Sequence, residues 1–337
     1  MRAVVTGGAG FIGSHMVDLL LERGFEVVVI DNLVGGREEN LAQHRGNRRL
    51  RFDGPMDMCT LPADSSLFAG ADYVFHFGGI GDIVPSIERP LDYMRANVDG
   101  TLAVLEAARH ARVKKLVYAA SSSCYGLATE LPTTEDAPIR PEYPYALSKH
   151  LGEAAALHWG QVYGLPVVSI RMFNVYGPRV KTTGAYGAVF GVFLAQKLHG
   201  KPFTVVGDGA QRRDFVYVTD VANAYLLGAE SDRRGEVYNL GGGGEPPTIN
   251  ELVRLMGGDV VYVPKRPGEP DCTWADVSKI QAHLGWKPTV SFPQGVASML
   301  RHIEDWRTAP LWTPEKIEAA TRVWFQHLAP STDLGRP

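Results

Sequence analysis

The segment YPYALSKHLGE carries a phenol and an ammonium at a spacing that lets them act on one proton. Tyr145 and Lys149 are four residues apart, so on a helix their side chains share one face. A tyrosine with a pKa of about 10 is a poor base at neutral pH, and a neighbouring ammonium lowers that pKa because it stabilises the phenolate. The pair predicts proton transfer by Tyr145, although the same spacing also occurs where a solvated lysine lies over an aromatic ring.

A serine-rich segment, YAASSSCYG, precedes this pair by about 20 residues. It has the pattern of a strand that ends in serines, and ligands of α/β sheets bind at the carboxyl ends of the strands. Ser121 is therefore expected to donate a hydrogen bond to the same substrate oxygen that Tyr145 deprotonates.

Three glycines, Gly7, Gly10 and Gly13, recur at intervals of three in TGGAGFIG. They follow a strand-like segment and open a helical one, so a tight turn there would direct the N–H groups of a helix N-terminus at an anion. Asp31, 18 residues past Gly13, ends the next strand-like segment, where it would accept hydrogen bonds from an adenosine ribose. This pattern predicts that the chain binds a dinucleotide.

The residue at the end of the second strand also favours one dinucleotide over the other. Asp31 is typical of NAD, while the nearby Arg37 keeps NADP open as a minor alternative. In a second alternative, Asp31 only caps a turn with Asn32. The positive ring of oxidised nicotinamide would add to Lys149 in lowering the pKa of Tyr145, so NAD is the predicted cofactor.

The bulk composition excludes several classes of protein. The chain has 337 residues, of which 45% are hydrophobic and 21% charged, as is usual for a globular protein in solution. The net charge of −3 gives no basic excess for nucleic acid, and no apolar stretch reaches the length of a membrane span. Three cysteines far apart argue against a disulfide framework and a metal site. We expect a cytoplasmic protein with no nucleic-acid, membrane or metal partner.

The order of the segments predicts the fold. Strand-like segments such as RAVVTG and EVVVIDN alternate with helical ones such as FIGSHMVDLLLERG. This alternation predicts an α/β fold with a doubly wound parallel (Rossmann) sheet and a smaller, interleaved α/β substrate domain. Shorter elements after residue 178 suggest an NAD-binding domain at 1–177 plus about 214–242, a substrate-binding region at 178–213 plus about 243–310, and a C-terminal helical extension at 311–330.

Five segments, TGGAGFIG, SSSCYG, YALSK, RMFNVYGPR and GDGAQRRDFVYVTDVA, together resemble a known family. They are similar to the extended short-chain dehydrogenase/reductases that act on nucleotide sugars, and most of all to the 4-epimerases of the UDP-galactose (UDP-glucose) type. The resemblance runs in order from Met1 to about Trp306. It implies NAD as cofactor, a nucleotide-diphosphate sugar as substrate, and a homodimer joined by a four-helix bundle.

The resemblance also assigns roles to individual residues. It implies catalysis by Ser121, Tyr145 and Lys149. The cofactor-binding residues that it implies are Gly7, Gly10, Phe11, Ile12, Gly13, Asp31, Asn32, Asp57, Met58, Asn97, Tyr145 and Lys149. The substrate-binding residues are Ser122, Ser123, Asn174, Arg213, Arg266 and Glu269, of which the two arginines would hold the diphosphate.

Two departures from the family pattern bear on cofactor and sugar. Gly81 stands where UDP-galactose epimerases often carry a lysine that contacts the cofactor phosphates, so NAD would be held less tightly. Cys272 and Thr273 stand where relatives that exclude N-acetyl sugars tend to carry a large tyrosine. The smaller residues would leave room for an N-acetylhexosamine.

These residues favour an NAD-dependent epimerase that acts through a 4-keto sugar and recycles its NAD. A 4,6-dehydratase of the same family would need an Asp-Glu pair after the catalytic hydroxyl residue, and Ser122 and Ser123 are found there instead. A catalytically idle NAD-binding module would be expected to lack Tyr145 or Lys149, and both are present. The nucleotide base stays open, and so does a choice of C2 instead of C4.

Overall fold

The computed structural model of the chain describes residues 1–182, 189–265 and 269–328. Its strands are β1 (Arg2–Thr6), β2 (Glu26–Ile30), β3 (Leu50–Arg51), β4 (Tyr73–His76), β5 (Lys115–Ser121), β6 (Val167–Met172), β7 (Asn174–Tyr176), β8 (Phe203–Val206), β9 (Phe215–Tyr217), β10 (Glu236–Leu240) and β11 (Val260–Val263). Its α-helices are α1 (Phe11–Glu22), α2 (Ile83–Glu88), α3 (Pro90–Met94), α4 (Gly100–His110), α5 (Pro144–Tyr163), α6 (Val189–Leu198), α7 (Val218–Glu230), α8 (Ile249–Met256), α9 (Ser278–Leu284), α10 (Phe292–Arg301) and α11 (Pro314–Leu328).

A parallel sheet of seven strands organises the molecule, in the order β10-β6-β5-β4-β1-β2-β3. Its central strands are apolar on both faces, because helices cover both sides; Val4 and Val5 of β1 are fully buried and belong to different core clusters. The predicted doubly wound sheet is thereby confirmed. From β1 the strand order runs to one edge of the sheet through β2 and β3, and to the other edge through β4, β5 and β6. Ligands of such sheets bind at the carboxyl ends of the strands, beside the point where the order switches.

Two smaller parallel pairs lie outside this sheet: β8 with β11, and β7 with β9. We expected the chain to return to the main sheet near DFVYVTDVANAYLLGA. The strand within that segment is β9, which pairs with β7, and the strand that joins the main sheet is β10. The domain boundaries given above stay a prediction.

A third apolar core packs these smaller elements together. It contains aromatic residues of α6, β8 and β9, and it also buries Trp306 completely. Helix α11 follows, in the predicted C-terminal extension, and begins at Pro314, where proline is favoured because the first helical N–H has no partner in the helix. No helix among the described residues has both the length and the apolar character needed to cross a lipid bilayer.

Candidate active site

The glycine turn after β1 is built so tightly that side chains are excluded. Gly7 has a φ of +68°, and a Cβ at Gly13 would lie 2.1 Å from the Gly7 carbonyl oxygen. Gly10 precedes the first turn of α1, which begins with Phe11 and Ile12. The turn brings the N-terminus of α1 to the carboxyl end of β1, where free N–H groups can bind a diphosphate. A dinucleotide needs space beside the turn for its diphosphate, and side chains at these positions would fill that space. The three glycines therefore fit the predicted cofactor.

Asp31 connects the second strand to this turn. Its Oδ2 accepts a hydrogen bond from the Ala9 N–H at 3.0 Å, and its Oδ1 accepts one from the Leu33 N–H at 2.8 Å. Burial raises the pKa of the Asp31 carboxyl, and the backbone hydrogen bonds oppose that rise only in part. The carboxylate therefore does cap a turn, but with Leu33 and not with the exposed Asn32, and it lies at the strand end where a ribose would bind.

Asn97 holds the loop that follows β4. It lies in a π-helical turn between α3 and α4, a type of turn that is frequent at functional sites. Its Oδ1 accepts from the Ile80 N–H at 2.8 Å, and its Nδ2 donates to the Ile80 carbonyl at 3.0 Å and to the Ser148 hydroxyl at 2.9 Å. Asn97 thus joins that loop to α5, the helix that carries Tyr145 and Lys149.

Asp57 and Met58 lie near the loop that follows β4. Asp57 accepts a hydrogen bond from the Cys59 N–H at 3.0 Å and caps a short 3₁₀ turn. Met58 packs so closely under the loop that a Cβ at Gly78 would lie 2.5 Å from its sulfur. Met58 therefore packs against the loop, whereas Asp57 caps the turn that contains Met58.

The predicted catalytic residues Ser121 and Tyr145 lie where β5 ends and α5 begins. Ser121 is the last residue of β5, and its hydroxyl lies 2.8 Å from that of Ser123. Tyr145 is half-buried, but its hydroxyl lies deep enough that burial raises the pKa of the phenol, while a hydrogen bond with Ser121 lowers it in part. The structure therefore brings Ser121 and Tyr145 together, and their catalytic roles stay a prediction.

Lys149 is buried on the same helix as Tyr145 and lies against a second tyrosine, Tyr118. Its ammonium lies 4.6 Å from the ring centre of Tyr118, and burial lowers its own pKa to about 8, while the charge of Glu153 acts to raise it. The net pKa of Tyr145 is raised because desolvation of the phenolate dominates. That Lys149 and the nicotinamide ring together lower this pKa stays a prediction for the protein with its cofactor bound, since spacing on a helix fixes the shared face of two side chains but not their burial.

A buried ion pair fixes α5 to the sheet. The Arg171 guanidinium on β6 donates to both carboxylate oxygens of Glu153 on α5, at 2.8–3.1 Å. Burial raises the pKa of Glu153, but hydrogen bonds from His150, Arg171 and Ser169 and the Arg171 charge outweigh that effect and lower it. The pair holds α5 at a defined height above the sheet, and with it the reactive tyrosine.

Four further residues surround Tyr145 that the sequence did not reveal. The Tyr143 ring stacks on that of Tyr145 with centres 6.4 Å apart, and Tyr93 approaches edge-on at 6.3 Å. Trp324 of α11 lies 6.3 Å from Tyr143. Asp82, whose φ is 77°, raises the pKa of Tyr145 through its negative charge. Asp82 directly follows Gly81, so that departure from the family pattern was a signal that could have exposed it.

A cavity of about 390 Å³ opens beside this cluster. Its lining includes three predicted substrate residues, Asn174, Arg213 and Glu269, together with Asp82 and Trp324. Tyr145 is not part of the lining, but its neighbours Asp82 and Trp324 border the cavity. The cavity therefore joins the surroundings of Tyr145 to the predicted substrate residues.

Arg213 is held ready by neighbouring acceptors. It donates to Glu269 at 2.8 Å and to the Pro270 carbonyl at 2.9 Å, and Thr273 donates to the Asn174 side chain at 2.9 Å. Thr273, which we expected near the sugar, thus contacts a residue of the predicted diphosphate site. The predicted Arg266 lies outside the described residues.

The last two predicted substrate residues lie just beyond the end of β5. Ser122 and Ser123 begin a 3₁₀ turn directly after β5 and are half-buried. Within residues 1–182, 189–265 and 269–328, no cluster of His, Cys, Asp and Glu side chains has the grouping that would hold a metal ion.

Comparison with known proteins now adds to this geometry. A model of the NAD dependent epimerase/dehydratase family matches residues 3–241. The chain belongs to this family. Its members use NAD, so NAD is the cofactor. A sequence relative from Methanocaldococcus jannaschii, named a putative UDP-glucose 4-epimerase, is 34% identical over 90% of this chain and 98% of its own.

Two further proteins show how broad this family is. A dTDP-glucose 4,6-dehydratase of Streptomyces niveus is 33% identical over 94% of this chain and 97% of its own. The structure of a UDP-N-acetylglucosamine 4-epimerase from Methanobrevibacter ruminantium M1, solved with UDP-N-acetylmuramic acid, matches with a TM-score of 0.85 and 33% identity, over 90% of this chain and 98% of its own. The family is thus one of nucleotide-sugar enzymes, and its members catalyse more than one reaction.

Proposed function

We propose that this family member epimerises a nucleotide-diphosphate sugar at C4, with UDP-glucose/UDP-galactose or an N-acetyl analogue as substrate. One observation carries the proposal. Ser121, which lies beside Tyr145, is followed in the chain by Ser122 and Ser123 and not by an Asp-Glu pair. Removal of water from C5 and C6 of a sugar needs an acid and a base, and serine hydroxyls do not supply them at neutral pH. Epimerisation needs only one acid–base group, the tyrosine, together with the hydride exchange that NAD would supply.

The residues that hold the cofactor follow from the site. The turn at Gly7 to Gly13 and the N-terminus of α1 would bind its diphosphate, Asp31 a ribose, and Lys149 the ribose beside the nicotinamide. When bound, NAD accepts a hydride from the sugar carbon and later returns it. Gly81 offers no basic side chain to the phosphates, and its carbonyl accepts a hydrogen bond from Tyr93 instead.

The chain's own residues manage the proton and the orientation. Tyr145 takes the proton from the sugar 4-hydroxyl while Ser121 donates a hydrogen bond to the same oxygen, and Tyr145 later returns the proton. Lys149, with the ring charge of the bound cofactor, stabilises the phenolate against the desolvation that raises its pKa. Arg213 and Asn174 keep the diphosphate bound while the sugar turns to present its other face.

A panel of nucleotide sugars tests the proposal. The purified protein is incubated with NAD and with UDP-, dTDP-, GDP- or CDP-linked hexoses, and the products are analysed by mass spectrometry and NMR. We expect an unchanged mass with an inverted C4 carbinol. Loss of 18 mass units would identify a 4,6-dehydratase, the alternative suggested by the Streptomyces niveus relative. Binding of NAD without any turnover would indicate an idle module.

We also propose a homodimer formed through α4 and α5. Leu147 and Leu151 of α5 are 38% and 40% exposed, although large apolar residues on one helix face usually lie against a partner. Leu151→Glu should then convert a dimer into a monomer in analytical ultracentrifugation, while Tyr262→Glu, at an exposed position on β11, should not. A wild-type monomer would contradict the dimer.

The free thiols of all three cysteines support a cytoplasmic location, which cell fractionation would test.

A further inference from the structure

Helix α11 lies beyond the residues that the family model matches. The alignments with the three relatives cover 97–98% of those proteins but only 90–94% of this chain. The family model ends at residue 241, and the motif resemblance ends near Trp306. Residues 311–328 lie beyond both of these limits.

This segment is nevertheless packed into the site. Helix α11 lies against α2, which follows the loop of Gly81 and Asp82. It buries Ile317, Thr321 and Trp324, which are four and three residues apart and so share one face. The Trp324 ring contacts Tyr143, whose ring stacks on Tyr145. A continuous line of aromatic rings thus runs from the segment to the reactive tyrosine.

A second anchor ties the start of the segment to the substrate region. The buried Gln196 of α6 donates a hydrogen bond to the Trp312 carbonyl at 2.8 Å and another to the Thr204 hydroxyl at 2.8 Å. Trp312 and Trp324 both line the cavity that contains Arg213. The segment is therefore fixed at both ends and contributes two indole rings to the substrate cleft.

We propose that residues 311–328 form the wall of the cleft that faces the sugar, and that Trp324 determines which sugars are accepted. The inference rests on the proposed function and adds the feature that selects neutral or N-acetylated hexopyranoses over uronates. Indole rings pack well against the C–H groups of a pyranose but supply no charge for a uronate carboxylate. Asp82 borders the same part of the cavity and would repel that carboxylate.

Substitution of Trp324 separates sugar recognition from nucleotide binding. In Trp324→Ala we expect KM for the preferred UDP-hexose to rise at least tenfold and turnover of UDP-glucuronate, relative to that hexose, to increase. The Kd of UDP, which has no sugar, should stay within twofold of wild type by calorimetry. Phe325→Ala, a change at the exposed neighbour on the same helix, serves as the matched control and should leave both values unchanged.

The outcomes distinguish failure of this inference from failure of the proposed function. A wild-type protein that turns over no nucleotide sugar would remove the proposed function itself. A turnover-competent protein whose Trp324→Ala variant keeps its KM and sugar preference would overturn the inference alone. If Trp324→Ala unfolds, Trp324→Phe replaces it. For Trp324→Phe we expect a smaller rise in KM and an unchanged affinity for UDP. Equal losses of affinity for UDP and for the UDP-hexose would contradict a wall that contacts the sugar.

A second inference rests on an independent observation at Trp306. This residue is fully buried, and its indole Nε1 has no hydrogen-bond partner within the described ranges. Trp306 lines the cavity, and a Cβ at the neighbouring Gly191, which also lines it, would lie 3.6 Å from Nε1. A buried N–H without an acceptor is unfavourable, so such a group beside a ligand cavity points to an acceptor supplied by the ligand.

The geometry points to a nucleobase carbonyl as that acceptor. Trp306 packs among α6 and α10, whereas α2 and α11 border the sugar part of the cavity. Arg213 and Asn174, the proposed diphosphate residues, line the same cavity, so the nucleoside would extend toward Trp306. Uracil, thymine, cytosine and guanine carry a ring carbonyl, and adenine does not.

Trp306→Phe keeps a ring and removes the donor, and Trp286→Phe is its matched control. Trp286 is also fully buried, but its Nε1 already donates to the Asp220 carbonyl at 2.9 Å. We expect Trp306→Phe to weaken UDP binding about tenfold and leave weak ADP binding unchanged, and Trp286→Phe to lower Tm more while binding UDP within twofold. Equal UDP affinity in wild type and Trp306→Phe, or an equal loss in both variants, would overturn the inference.

Discussion

The cofactor side and the substrate side of the cleft are built by different means. On the cofactor side, the predicted anion site is a tight glycine turn at the N-terminus of α1. Asp31 bonds to backbone N–H groups, and Asn97 bonds to the backbone of Ile80 and to the Ser148 hydroxyl. On the substrate side, Arg213 projects a side chain from a loop and is held by Glu269. Backbone sites depend on residue spacing, whereas side-chain sites depend on how distant loops pack.

The largest effect is expected where the two sides meet, in Tyr145→Phe. Turnover should fall by about 10²- to 10⁴-fold, because the proton of the sugar hydroxyl loses its acceptor. The amount of bound NAD, measured by absorbance after denaturation, should stay the same. Tyr143→Phe keeps the stacked ring and should lose at most a few-fold. Normal turnover in Tyr145→Phe would remove Tyr145 from the chemistry.

Gly13→Ala tests the claim that the cofactor side is a backbone site. The new methyl group would lie 2.1 Å from a backbone oxygen, so the turn must open, at a cost of about 1–3 kcal/mol. We expect lower thermal stability and loss of bound NAD. Gly35→Ala, which adds a methyl group with no neighbour within 4 Å, is the control for nearby glycine loss. Full NAD content in Gly13→Ala would contradict a tight cradle.

Arg213→Ala tests the claim that the substrate side depends on side chains. A hydrogen bond to a charged group is worth about 1.5–3 kcal/mol, so UDP affinity should fall roughly tenfold to a hundredfold. The content of NAD should not change. Arg212→Ala removes the adjacent arginine, which pairs instead with the exposed Glu245, and should leave UDP affinity within twofold. Equal effects of both variants would mean that only general charge attracts the nucleotide.

The smallest effect is expected from Asp82→Asn, measured as a shift in the pH profile. Asp82 raises the pKa of Tyr145 because a negative charge disfavours the phenolate. Removal of that charge lowers this pKa, so the acid limb of kcat/KM should move to lower pH. Asparagine tolerates the positive φ at this position, which keeps the backbone unchanged. Asp92→Asn, at an exposed carboxylate of α3, should leave the profile in place, and a shift toward higher pH in Asp82→Asn would contradict the sign.

The sequence predicted the sheet and the glycine turn because both follow from local pattern. Alternating strands and helices lead to a parallel sheet, and glycines at a strand–helix turn lead to a phosphate site. The closeness of Ser121 and Tyr145 was predictable for the same reason, since a strand end and a helix start meet at one edge. Such features need no knowledge of distant contacts.

The remainder depended on contacts between residues far apart in sequence. Nothing near Trp324 shows that its helix returns to the reactive tyrosine, almost 180 residues earlier. The pKa of Tyr145 was missed because burial, which dominates it, is a property of the packed fold. Asn97 was expected to line the cofactor site, and only the structure shows that its amide is bonded to Ile80 and Ser148.

The ion pair between Glu153 and Arg171 has a consequence for behaviour in concentrated salt. Both side chains are almost fully enclosed, at 2% and 7% exposure, so dissolved ions cannot screen their attraction. The position of α5, the helix that carries Tyr145, should therefore not change at ionic strengths that weaken the long-range attraction between the site and a doubly charged substrate. Raising potassium chloride should increase KM while kcat changes little.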